Sequence, residues 1–101
     1  MAKKTSFSDL INSSQPVLVD FTATWCGPCK MMAPVLEKVK VKIGDKAKIV
    51  KIDIDRNQQF ASNMGISGVP TFVLFKNGKE QWRQVGMVSE HQLMTVLEEH
   101  K

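Results

Sequence analysis

Apolar positions along the chain change their period several times, and each change marks an element. Val17-Leu18-Val19-Asp20-Phe21 is nearly all apolar and β-branched, the pattern of a strand buried on both faces, with Asp20 as its one polar interruption. From Pro28 onward, Met32, Val35, Leu36, Val39 and Ile43 recur at i, i+3, i+4, i+7 and i+11, which predicts one apolar stripe of a helix ending near Gly44. Pro34 lies inside that stripe; it removes the donor that would bond the Lys30 carbonyl and predicts a kink. Ile49-Val50-Lys51-Ile52-Asp53-Ile54 reads as a second inner strand, followed by a short helix that carries Phe60 and Met64 and stops at Gly65. Thr71–Phe75 and Glu80–Val85 flank Asn77-Gly78, the pair that favours a hairpin with a type I′ turn. Near the start, Ser6 caps a brief helix through Phe7, Leu10 and Ile11, ended by Asn12-Ser13-Ser14-Gln15-Pro16. Near the end, Ser89 and Gln92 form a capping box stapled by Val88 and Leu93, and Leu93, Val96 and Leu97 give the last helix its apolar face.

This order predicts an α/β fold. Strands joined by helices are expected to pair in parallel through right-handed crossovers, while the hairpin adds an antiparallel edge. The expected architecture is a central mixed sheet of four to five strands with helices on both faces, the fifth being at most a very short strand before Ser6. At 101 residues and 43% hydrophobic content the chain suits a single domain over residues 1–101 with one buried core of ordinary density.

Charge and cysteine content narrow the function classes. The net charge of +4 comes mostly from scattered lysines, among them Lys38, Lys40, Lys42, Lys46, Lys48 and Lys51. A nucleic-acid surface calls for arginines and aromatics interleaved on one face, and only Arg56 and Arg83 are present, so no nucleic-acid partner is expected. A solvated surface is the first meaning of the lysines, and faster encounter with acidic protein partners the second. The first dozen residues hold no apolar run long enough for a signal segment or a membrane span, so the expectation is a cytoplasmic protein with no membrane partner.

The only cysteines, Cys26 and Cys29, stand in Trp25-Cys26-Gly27-Pro28-Cys29-Lys30. As a staple the pair would close a tiny loop, and the entropic gain from a cross-link grows with loop length, so stability is a poor reason for this spacing. In a reducing compartment a close pair points to catalysis or metal binding. Zinc needs two more ligands. The candidates His91 and His100 lie nine residues apart in the terminal helix, poorly placed to share a metal, so none is expected. The pair follows a strand and opens a helix, where unbonded backbone N–H groups favour a thiolate over a thiol and lower Cys26 below the roughly 8.5 of a free thiol. Three residues apart on a helix, the side chains share one face at a separation a disulfide can span. One thiolate attacks a substrate disulfide and the tethered second thiol resolves the mixed disulfide. Cys26 is assigned to attack and Cys29 to resolution, because Cys29 lies one turn deeper and should be less exposed.

Val19-Asp20-Phe21, Trp25-Cys26-Gly27-Pro28-Cys29-Lys30, Pro34, Lys51, Gly65-Ile66-Ser67-Gly68-Val69-Pro70-Thr71, Phe75-Lys76-Asn77-Gly78 and Val85-Gly86 stand in an order and spacing that resembles the thioredoxin family nearly end to end. The resemblance implies a thioredoxin fold and a general protein-disulfide reductase acting on diverse disulfide-containing proteins, re-reduced by a thioredoxin reductase; a monomer is the default expectation. It implies no bound cofactor, since the electrons reside in the redox-active Cys26–Cys29 pair. Gly27-Pro28 belongs to reducing members, against an isomerase or oxidase. By the same resemblance, Asp20 accepts the proton of the resolving thiol and Lys51 tunes it. Pro70 matches the family's cis-proline, and Val69 before it offers backbone groups to an extended substrate by strand addition. Trp25, Gly27, Pro28, Ile66, Val69, Pro70, Gly86 and Met87 are the expected substrate-binding surface. Two positions depart from the pattern. Thr22 stands where many members have tryptophan, and Met87 replaces a smaller neighbour with a flexible thioether that could broaden substrate acceptance. Met31, Met32, Met64 and Met94 are expected to be packing residues.

Overall fold

A computed structural model of the chain describes residues 6–101. Any strand before Ser6, and the lysines at positions 3 and 4, lie outside the described residues. The elements in order are α1 (Phe7–Ile11), β1 (Val17–Thr22), α2 (Gly27–Ile43), a 3₁₀ turn (Gly44–Lys46), β2 (Lys48–Asp53), α3 (Gln58–Asn63), β3 (Thr71–Lys76), β4 (Lys79–Val85) and α4 (Glu90–His100). Ser6 caps α1 by accepting the Asp9 N–H at 3.2 Å. The α2 helix runs through exposed Pro34 without a break.

The strands form one sheet in the order β2-β1-β3-β4. β1 pairs with β2 in parallel and with β3 antiparallel, and β3 pairs antiparallel with β4. Two expectations are corrected here. First, among the described residues β2 stands at the end of the sheet and not inside it. Its run of apolar residues reflects cover on both sheet faces, because Ile49 joins the core under α2 while Val50 and Ile52 pack on the opposite side. Second, β3 is antiparallel to β1 although a helix precedes it. A parallel crossover must carry the chain back along the sheet. The six residues of α3 span about 9 Å, against about 20 Å for a six-residue strand, so the chain turns around at the end where β2 stopped.

Asn77 at φ 53° and Gly78 at φ 79° make the β3–β4 turn as expected. Their N–H groups bond the carbonyls of Ser13 and Ile11 at 2.8 and 3.1 Å, tying the hairpin tip to the end of α1. The pairing shifts between Leu74, opposite Trp82, and Phe75, opposite Glu80, so Gln81 is the extra residue of a bulge.

Helices cover both faces. On one, Leu18, Phe72 and Leu74 pack with Met32, Leu36, Val39 and Ile43 of α2 and with Leu93, Val96 and Leu97 of α4. On the other, Val17, Val19, Phe21, Val73 and Phe75 meet Ile11 and, from α1 and the α3 region, Phe7, Phe60 and Met64. Phe7 links the two short helices to the sheet, with its ring 4.4 Å from Phe60 and 5.4 Å from Phe75. Val88 and Leu93 are buried together, whereas the capping box is half made. Ser89 Oγ accepts the Gln92 N–H at 3.1 Å, but the Gln92 amide donates to Gln84 at 2.8 Å because β4 lies within its reach. Met32, Met64 and Met94 pack as expected, while Met31, on the outer face of α2, is 63% exposed. Among the described residues no helix is long and apolar enough to cross a membrane.

Candidate active site

The turn after β1 places Cys26 at the N-cap of α2, its N–H bonded to the Ala23 carbonyl at 3.2 Å and its own carbonyl accepting the Lys30 N–H at 3.2 Å. The Cys26 Sγ accepts the Cys29 N–H at 3.1 Å, so sulfur fills the capping role that a side-chain oxygen usually plays. Pro28, in the first turn, presents no unbonded N–H. The two sulfurs are bridged, with the Cα atoms 5.2 Å apart. Gly27 and Pro28 are exposed between them.

Burial does not separate the two thiols. Cys26 is 4% exposed and Cys29 7%, so the expectation that Cys29 would be the more hidden is not met. The cause is a neighbour 43 residues along the chain: Cys26 Sγ lies 3.7 Å from the Val69 carbonyl, and Val69 and Ile54 pack against Ala23 and the cysteines.

The Val69–Pro70 peptide is cis, and Pro70 is buried. Its carbonyl accepts the Gly86 N–H at 2.7 Å, and Thr71 Oγ1 donates to the Gly68 carbonyl at 2.5 Å, so the Ile66–Pro70 segment is held between β3 and the end of β4. Ile66, Val69 and Gly86 are half-buried. Trp25 is 66% exposed and Met87 47%, so neither is a core side chain. Two further residues were not anticipated. Val85 is 59% exposed beside Gly68, whose added Cβ would meet its side chain at 3.5 Å. Asp55 accepts the Trp25 indole N–H at 2.7 Å from the loop after β2, where Asp53 Oδ1 fixes the turn by accepting the Asp55 and Arg56 N–H groups. An apolar residue before glycine is a faint signal for Val85; the Trp25–Asp55 pair leaves none, since thirty residues separate its members.

Asp20 is buried in β1, with Lys51 on β2 and Phe72 on β3 as its register neighbours. It stands on the face shared with Leu18, the one covered by α2. Burial pushes its pKa up to about 6, and the Lys51 charge pulls the other way. Its Oδ1 has no hydrogen-bond partner among the described residues. Lys51 is exposed; no ion pair joins it to Asp20, and it lines a small recess with Lys40, Glu37 and Ile49. Among the described residues no cluster of three or more His, Cys, Asp or Glu side chains is placed to hold a metal ion.

The Thioredoxin family model matches residues 1–99. The chain belongs to the thioredoxin family. It is 46% identical over 101 residues to thioredoxin Y, chloroplastic, of Oryza sativa subsp. japonica, covering 96% of this chain and 60% of that protein. To thioredoxin of Acidithiobacillus ferridurans it is 45% identical, covering 90% of this chain and 84% of the relative. The solved structure of a single-substitution variant of Halobacterium salinarum thioredoxin superposes with a TM-score of 0.84 at 40% identity, covering 97% of this chain and 85% of that one. The four-stranded mixed sheet with helices on both faces is therefore the thioredoxin fold, and the Cys26–Cys29 pair is the dithiol of a disulfide oxidoreductase.

Proposed function

We propose that the chain is a general protein-disulfide reductase that exchanges thiols through Cys26 and Cys29 and is re-reduced by a thioredoxin reductase. One observation carries this reading: the Cys26 sulfur sits at a helix start and accepts a backbone N–H at 3.1 Å, with Cys29 in bridging position. A hydrogen bond and helix dipole directed at sulfur favour its ionised form, the attacking species. In the reduced chain the Cys26 thiolate attacks a substrate disulfide, the S–S bond breaks, one substrate thiolate leaves and a mixed disulfide forms. Cys29, deprotonated, then attacks the Cys26 sulfur, closing the internal bridge and releasing the second substrate thiolate. The electron pair of the dithiol ends on the substrate as two thiols.

Asp20 takes the Cys29 proton. A carboxylate with a pKa near 6 is ionised at neutral pH yet basic enough to accept a proton, and the charge of Lys51 keeps it from rising further. Val69 offers backbone groups to an extended substrate beside Pro70, with Trp25, Gly27, Pro28, Ile66, Gly86 and Met87 around the dithiol. Such pairing needs little side-chain specificity, which suits diverse substrates. No bound cofactor or metal is required for exchange. The reading places a monomer in the cytoplasm or another compartment whose thiols are kept reduced; the rice relative is named as chloroplastic.

The test is reduction of a model protein disulfide by the purified chain, with thioredoxin reductase and NADPH. Turnover is expected from the parent chain and none from Cys26→Ser. Cys29→Ser should accumulate the mixed disulfide, and brief alkylation of the reduced chain should modify Cys26 first. Absence of electron transfer from the reduced chain overturns the reading, and prior modification of Cys29 reverses the two roles.

A further inference from the structure

The α3 helix ends in a left-handed cap. Gly65, at φ 71°, donates to the Ser62 carbonyl at 2.9 Å, and Ile66 donates to the Ala61 carbonyl at 2.9 Å. These two bonds leave the Met64 carbonyl free, and Arg83 Nη1 donates to it at 2.9 Å from β4. The rest of the guanidinium is held by Glu80, whose Oε2 accepts from Nε at 3.1 Å and whose Oε1 accepts from Nη2 at 2.8 Å. In a regular strand, residues three apart point to opposite faces. The extra residue Gln81 resets that alternation: Arg83 stands opposite Val73 and Glu80 opposite Phe75, and both partners belong to the face that α3 covers. The bulge thus joins half-buried Arg83 and exposed Glu80 into a fork aimed at the end of α3.

Directly after that cap comes the Ile66–Pro70 segment. At its Pro70 end it is pinned by the Gly86 N–H, and at its Ile66 end by Arg83 through Met64. Both pins come from β4 and the residue after it, so the strand sets the position of the segment relative to the dithiol, where Val69 lies 3.7 Å from Cys26 Sγ.

We propose that Arg83, oriented by Glu80, is a positioning residue for polypeptide substrates, holding the Ile66–Pro70 segment in register for an incoming extended chain. The inference rests on the reading of that segment as the substrate-docking strand, and deepens it by naming what holds the strand in place. A small disulfide reagent needs only the sulfurs, whereas a polypeptide needs the segment too; the two substrates therefore respond differently.

The experiment compares Arg83→Met, which keeps the apolar stem, with the parent chain on a protein disulfide and on oxidised 2-mercaptoethanol. A charge-assisted hydrogen bond onto the Met64 carbonyl that leads into the segment predicts a loss of about tenfold in kcat/KM for the protein substrate, carried by KM, with less than about a twofold change for the small disulfide. Glu80→Gln should shift the same ratio in the same direction by less, and Arg83→Lys should restore part of it. Equal losses on both substrates, or an unchanged protein KM in Arg83→Met, overturn the proposal. If Arg83→Met fails to fold, Glu80→Gln decides, since its site is exposed and its side chain isosteric. A parent chain unable to reduce the protein disulfide at all would instead defeat the underlying reading.

Discussion

Asp20 shows how one residue can tie stability to chemistry. Its polarity within an apolar strand is plain in the sequence, but its burial follows from β1 lying between β2 and β3, under α2. Its pKa is about 6 in the fold and 3.8 as an ordinary carboxyl. Below the lower value both states are protonated and Asp20 has no effect. Between the two, the unfolded chain ionises first and stability falls; above the higher value the whole penalty is present. Asp20→Asn is therefore expected to be more stable than the parent at pH 8 by as much as ~3 kcal/mol, a gain that shrinks as pH falls through 6 and vanishes near 4. Urea unfolding at the two pH extremes checks this; an equal difference at both would remove Asp20 as the cause. The same variant should slow resolution by Cys29 while sparing the first attack, seen as a longer-lived mixed disulfide. By contrast, Asp55 was illegible from sequence, because its value lies only in the loop geometry that brings it to the Trp25 indole.

Among the elements, the periodicities locate all four helices and four strands of the described chain to within about a residue or two, because amphipathic period and cap chemistry are local. Direction and neighbours are not local. The position of β2 at the edge of the described sheet and the antiparallel sense of β3 depend on which strands β1 accepts as neighbours and how far α3 can carry the chain, and the half-made capping box depends on Gln84 from another element. Gly65 joins both levels: a sequence signal for the end of α3, and a left-handed residue whose cap orients the next segment. A Cβ there would meet only the Arg83 guanidinium, at 3.9 Å, so the cost of Gly65→Ala is backbone strain and not a clash. A loss of about 1–2 kcal/mol is expected from the midpoint of chemical unfolding, and an unchanged midpoint would show that the loop relaxes to another conformation.

At the scale of the whole molecule, much of the positive charge is carried by one stretch of the chain. Lys38, Lys40 and Lys42 of α2, Lys46 of the following turn and Lys48 and Lys51 of β2 follow one another along the dithiol helix and the adjoining strand. Of these, Lys42 pairs with Glu90. Most of these lysines lie at the C-terminal end of α2 and the start of β2, away from Cys26 at the helix start, so the excess charge should speed encounter with acidic proteins without aiming them at the dithiol. Reduction of an acidic protein disulfide is expected to slow by roughly tenfold between low salt and about 0.5 M salt, while a neutral small disulfide is unaffected. Stopped-flow rates on the two substrates test this, and parallel salt curves would refute the faster encounter.

The sequence by itself determined the chemistry available: two thiols at a helix start, three residues apart, in a chain whose elements repeat the thioredoxin order. Those features are set by contacts within one or two turns, so the local pattern contains them. Only the tertiary structure decided what surrounds the sulfurs. It brought Val69 onto Cys26, buried Asp20 beside Lys51, joined Trp25 to Asp55 and, through a single extra residue at Gln81, aimed Arg83 at the end of α3. Each of these pairs residues far apart in sequence or on different elements, and their meeting depends on strand order and register, which emerge when the whole sheet closes.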